Sequence, residues 1–105
     1  MSIRGKKLGV LLSTRPEEPQ FGQGVSLAEA ALLEGVDVYV YCIDNAVVGV
    51  DNPRLQSLRN RGLKLYACAY GAQRRNFAMS DKAIFAGLTI VSDLIAGTDR
   101  FVSFN

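Results

Sequence analysis

Short apolar runs recur along this chain, each separated from the next by a segment long enough for one helix. Leu8, Val10, Leu11 and Leu12 carry the first, between Lys7 and Ser13. Val36 to Ile43 is the second and Leu63 to Cys68 the third. Runs of this length, rich in β-branched and aromatic residues, read as strands, and the unbroken ones suit the interior of a parallel sheet. After the first run, Thr14 to Gly24 is rich in Pro, Gly and Gln and reads as a long loop. Val25, Leu27, Ala28, Ala31 and Leu32 then keep helical spacing, and Gly35 stands where that helix should stop. Asn52 and Pro53 read as the cap and first position of a second helix, with Leu55 and Leu58 as its apolar stripe and Gly62 as its stop. The same order therefore occurs twice: helix, Gly, apolar strand, Cys.

Beyond Cys68 the pattern predicts a helix over Tyr70–Arg75, a short fourth strand near Ala83–Phe85, a helix from Leu88 to Ala96 closed by Gly97, and a last strand over Arg100–Phe104. Strands alternating with helices at this spacing imply a three-layer α/β/α fold with a five-stranded, mainly parallel sheet of flavodoxin-like architecture. The chain's 105 residues suit one domain, 1–105.

Composition narrows the chemistry. His is 0, which removes Ser-His-Asp triads, Cys-His dyads and imidazole metal sites. With Cys at 2, neither a thiolate metal cluster nor a disulfide scaffold is expected, and no cofactor is implied. The net charge of +2 is too mild to imply nucleic acid, but its distribution is lopsided. Glu17, Glu18, Glu29, Glu34, Asp37, Asp44 and Asp51 share a stretch free of Lys and Arg. Arg54, Arg59, Arg61, Lys64, Arg74 and Arg75 share a later one free of acids. Such blocks read as two solvated faces, or as a basic site with an acidic docking surface on a neighbouring copy. The apolar stretch from Ala83 to Val91 is too short to cross a membrane, and Leu8–Leu12 is too short for an export core, so a cytoplasmic location with reduced thiols is expected.

Ligands of open parallel sheets bind beyond the carboxyl ends of the strands. Ser13, Thr14, Cys42, Asp44 and Cys68 fall there. Cys68 is the leading candidate, because a strand hands over to a helix at that point. Free backbone N–H groups, the positive helix end and the basic block around it all favour a sulfur anion. The competing reading is a small buried core residue, since free Cys is among the most buried types. Cys42 is the candidate second thiol. Asp44 beside it disfavours its anion, and a structural role is favoured, although neighbouring strands would bring the two sulfurs near bridging distance. No Cys-x-x-Cys occurs. A Cys-x5-Arg does, from Cys68 to Arg74, in the spacing by which cysteine phosphatases and arsenate reductases wrap an anion. Only one Gly gives that loop freedom, and no Asp is clearly placed as a general acid.

The segment Ala67-Cys68-Ala69-Tyr70-Gly71-Ala72-Gln73-Arg74-Arg75 resembles the cysteine segment of the DsrE/DsrF-like family, closest to its sulfur-relay subunits. The tail from Phe85 to Gly97 and Thr98-Asp99-Arg100-Phe101-Val102-Ser103-Phe104 resembles that family's closing helix and last strand. The resemblance implies a five-stranded α/β/α domain assembling as trimers or hexamers. It also implies a cysteine that carries sulfur as a persulfide between a sulfur-donor and a sulfur-acceptor protein. Cys68 alone matches that residue, with Ala69, Tyr70, Gly71, Arg74 and Arg75 as its anion environment. Arg75 to Gly87 is shorter than in those subunits, which implies a more open rim. A persulfide is more acidic than a thiol and needs no His, so a histidine-free chain suits sulfur transfer. Three readings follow: a sulfur carrier or sulfurtransferase subunit; a non-catalytic assembly subunit with Cys68 merely packed; and a Cys-x5-Arg phosphatase or arsenate reductase.

Overall fold

A computed structural model describes residues 2–105. Five strands, β1 (Lys7–Leu12), β2 (Asp37–Cys42), β3 (Lys64–Cys68), β4 (Ile84–Ala86) and β5 (Arg100–Phe104), form one sheet in the order β4-β3-β2-β1-β5. Every pairing is parallel. Side chains alternate across it as strand geometry requires. Val10, Leu12, Val38, Val40, Cys42, Leu65 and Ala67 enter one core, while Tyr41 and Cys68 enter another on the opposite face.

Helix α1 (Pro19–Leu33) and helix α2 (Pro53–Asn60) cover the first core through Phe21, Val25, Ala28, Leu55 and Leu58. Helix α3 (Ala69–Arg74) and helix α4 (Thr89–Gly97) cover the second through Ala72 and Leu94. That second cover is thin. Ile90 and Val91 are half-buried, and Leu88 and Ile95 stay 58% and 55% exposed.

Helix α1 starts at Pro19, six residues before the expected Val25, and takes in most of what composition marked as loop. Tertiary packing overrides the weak helix propensity of this Gly-rich stretch. Phe21 and Gly24 are buried, and Gly24 lets the helix backbone lie close over Leu12 and Phe104. A 3₁₀ helix, Asp44–Gly49, was not expected; it begins with Asp44 in the left-handed region at φ 53 and carries the chain across the strand ends.

The expected helix stops are in place. At the end of α1, Gly35 takes φ 82, its N–H donates to the Leu32 carbonyl and the Val36 N–H to that of Ala31. Gly62 closes α2 in the same manner at φ 113. Both are Schellman closures, in which a residue free to adopt positive φ satisfies the last carbonyls. Asn76, at φ 53, closes α3 likewise. The cap of α2 is as expected: Asn52 Oδ1 accepts from the Arg54 N–H at 2.9 Å and the Leu55 N–H at 3.4 Å.

The acidic and basic blocks meet within the chain. Arg54 of α2 reaches Glu29 of α1 at 2.9 Å, so part of the charge asymmetry is used internally.

Candidate active site around Cys68

Strand β3 ends at Cys68, and α3 begins at the next residue. Cys68 keeps extended backbone (φ −72, ψ 116) and caps the helix with its own side chain: Sγ accepts the Gly71 N–H at 3.3 Å. The sulfur thus accepts one of the backbone N–H groups that the start of the helix leaves without an intrahelical partner. A Cβ at Gly71 would stand 3.2 Å from Val47 Cγ2, so glycine here lets α3 lie close to the 3₁₀ helix, while the 3.5 Å to Cys68 Cβ is ordinary contact.

Cys68 is only 5% exposed, yet it lines a cleft of about 460 Å³ together with Ile43, Asp44, Tyr70, Gly71, Arg74, Arg75 and Leu88. Of the residues expected around the sulfur, Tyr70, Gly71, Arg74 and Arg75 are therefore brought together. Ala69 lies beside Cys68 in the chain but outside that lining. Arg75 is held: it donates to the Gly71 carbonyl at 3.3 Å and to Asn45 Oδ1 at 3.1 Å, tying α3 to the 3₁₀ helix. Arg74 lies over the Tyr70 ring, 5.8 Å from its centroid, in a cation–π contact at the cleft mouth. Tyr70 itself is 66% exposed.

Several expectations need correction. The sequence around Cys68 is free of acids, but its cleft is not. Asp44, assigned from its position to Cys42, reaches the Cys68 cleft because the 3₁₀ helix folds across the strand ends. Cys42 is disfavoured as an anion for another reason: complete burial pushes its thiol up to about 12. The two sulfurs do not face one another. Cys42 pairs in register with Ala67, so Cys68, one residue on, points to the other side of the sheet. Both cysteines are free. The phosphatase geometry is also missing. Residues 69–74 are helical from the first position after Cys68, so their amides run along the helix axis and do not curl around an anion. Ser13, another strand-end candidate, is occupied structurally, donating to Asn105 Oδ1 at 2.8 Å.

Tyr41, Ile43 and Leu88 escaped the sequence reading. Tyr41 is fully buried on the same face as Cys68. Its hydroxyl donates to the Ala86 carbonyl at 3.1 Å and lies near that of Gly87 at 3.4 Å. Burial, and next the neighbouring Cys68, push its ionisation above the ordinary phenol range. The one available signal was the alternation in β2, which puts Tyr41 opposite in facing to Cys42.

The DsrE/DsrF-like family matches residues 6–104. The chain belongs to this family. Among solved structures, the ychN protein from E. coli shares the fold, with a TM-score of 0.79 at 14% identity over 95% of this chain and 99% of that one. No curated protein gives a match. The Cys68 segment and the Phe85–Phe104 tail, on which the resemblance rested, both lie inside the matched family region. Among the described residues, no helix is long and apolar enough to cross a membrane.

Proposed function

We propose that this protein is a sulfur carrier or sulfurtransferase subunit that holds a persulfide on Cys68 and passes the sulfur to a partner protein's thiol. Sulfur relay with partner proteins is the common work of the DsrE/DsrF-like family. The observation that carries the reading is the Cys68 sulfur capping α3 on the wall of an open cleft, with the Gly71 N–H on it and Arg74 and Arg75 around it. In loading, the Cys68 thiolate attacks the outer sulfur of a donor persulfide. A new S–S bond forms to Cys68, the donor's S–S bond breaks, and the donor leaves as a thiolate. Delivery repeats the exchange: an acceptor thiolate takes the outer sulfur and Cys68 departs as a thiolate. No histidine base is needed at either step. The burial of Cys68 protects the loaded sulfur, and the cleft it lines gives a partner's cysteine its approach.

The chain acts as one domain over 1–105, in the cytoplasm, as a homo-oligomer of three or six copies. The exposed apolar residues of α4 support the assembly. The test is loading followed by delivery. Protein treated with a persulfide donor, freed of it and mixed with excess thiol should gain about one sulfur mass and then lose it. Protein that never gains the mass is no carrier.

A further inference from the structure

Tyr41 has a place that the sulfur-carrier reading leaves unused. It lies on β2, whereas the carbonyl it bonds belongs to Ala86 on β4. Between them runs β3, and the residue of β3 directly in register with Ala86 is Cys68. Neighbouring strands are about 4.8 Å apart, so a side chain that starts on β2 and ends on a β4 carbonyl must cross β3. Tyr41 and Cys68 share one face and one cluster. The phenol therefore reaches across Cys68 on its way to Ala86, within the same cluster.

Resting on the sulfur-carrier reading, we infer that Tyr41 is a positioning and hydrogen-bonding residue for the Cys68 thiolate. Its O–H turns from the Ala86 carbonyl to the sulfur whenever Cys68 is ionised. In the neutral thiol state the phenol donates to Ala86, and its oxygen is free to accept the S–H. In the thiolate state the sulfur becomes the stronger acceptor. Ala86 is half-buried and Gly87 exposed, so the released carbonyls belong to residues that solvent reaches. Burial raises the ionisation of Tyr41 itself, so it stays a donor through the neutral range. The thiolate is the attacking group in loading and the leaving group in delivery, and one donor thus serves both steps. The other charged or titratable groups lining the cleft with the sulfur are Asp44 from the 3₁₀ helix, Tyr70 and Arg74 from α3 and Arg75 just past its end, with Tyr39 and Tyr66 in the same cluster as Cys68.

The test compares wild type with Tyr41→Phe, following iodoacetamide modification of Cys68 by peptide mass across pH. Loss of a hydrogen bond to a charged group predicts alkylation a few-fold slower at pH 7, the profile moved to higher pH, and a high-pH plateau that does not fall, because the thiolate fraction drops while the freed thiolate is the better nucleophile. A merely structural tyrosine would leave the profile where it is, and an unmoved profile in a folded variant overturns the inference. Should Tyr41→Phe fail to fold, a ring-fluorinated tyrosine at this position is a stronger donor of nearly the same shape. It should move the profile toward lower pH, and an unmoved profile again overturns the inference. Sulfur loading of wild type is read separately: its absence defeats the carrier reading, while the alkylation profile still judges Tyr41.

Discussion

Two glycines of α1, two residues apart, should respond to alanine with opposite signs. Both occupy helical backbone, where alanine is favoured over glycine by about 0.5–1 kcal/mol. At Gly22 a Cβ would meet nothing within 4 Å, so Gly22→Ala should stabilise by about that amount. At Gly24 the same methyl would overlap Leu12 Cδ2 and stand 3.1 Å from Phe104 Cδ2. Leu12 is completely buried and cannot swing aside. Overpacking of this kind costs about 1–3 kcal/mol, which outweighs the helix gain, so Gly24→Ala should destabilise by about 1 kcal/mol net. The gap between the variants, about 2 kcal/mol, corresponds to roughly 10 °C in Tm for a domain of this size. Thermal and urea unfolding at one protein concentration measure it. Sulfur loading should be the same in both, because α1 covers the face away from Cys68. Equal stability of the two variants would refute the claim that close approach of α1 to β1 and β5, rather than helix propensity, sets this part of the fold.

Alkaline pH should weaken the protein. Cys42 is raised from near 9 to about 12, so its contribution is complete below the unfolded value and is lost as pH climbs from about 9 to about 12. Urea midpoints should fall over that window, and Cys42→Ala should flatten the decline; an equal slope in the variant contradicts the burial argument. Cys68 should alkylate faster than Cys42 in the folded protein, since it lines the cleft and Cys42 is enclosed. Equal, slow modification would support a packed assembly subunit instead. Light scattering at micromolar concentration should find a trimer or hexamer that moderate salt weakens only in part, whereas a stable monomer would contradict the role given to the exposed residues of α4.

The strands were legible because each is a short apolar run with β-branched or aromatic residues, and parallel burial leaves that mark directly in the sequence. Gly35 and Gly62 were legible because a helix closing through positive φ favours glycine. The first turns of α1 were hidden: Pro19, Gly22 and Gly24 argue locally for a loop, and only the burial of Phe21 and Gly24 decides otherwise. Cys68 stood out at a strand-to-helix junction, and four of its expected neighbours lie in its own helix. Asp44, Leu88 and Tyr41 arrive from other elements, and their presence depends on the path of the 3₁₀ helix and on strand register. The same limit left the pairing of the two cysteines open. That β2 and β3 are neighbours could be expected, but the pairing of Cys42 with Ala67 could not, and it alone sends the sulfurs to opposite faces.

The most direct test of the account is intact mass after exposure to a persulfide donor, compared among wild type, Cys68→Ser and Cys42→Ser. Wild type and Cys42→Ser should each gain about one sulfur atom, removable by reductant, while Cys68→Ser should gain none. An adduct that persists in Cys68→Ser and disappears in Cys42→Ser would place the chemistry on the enclosed face of the sheet and contradict the assignment.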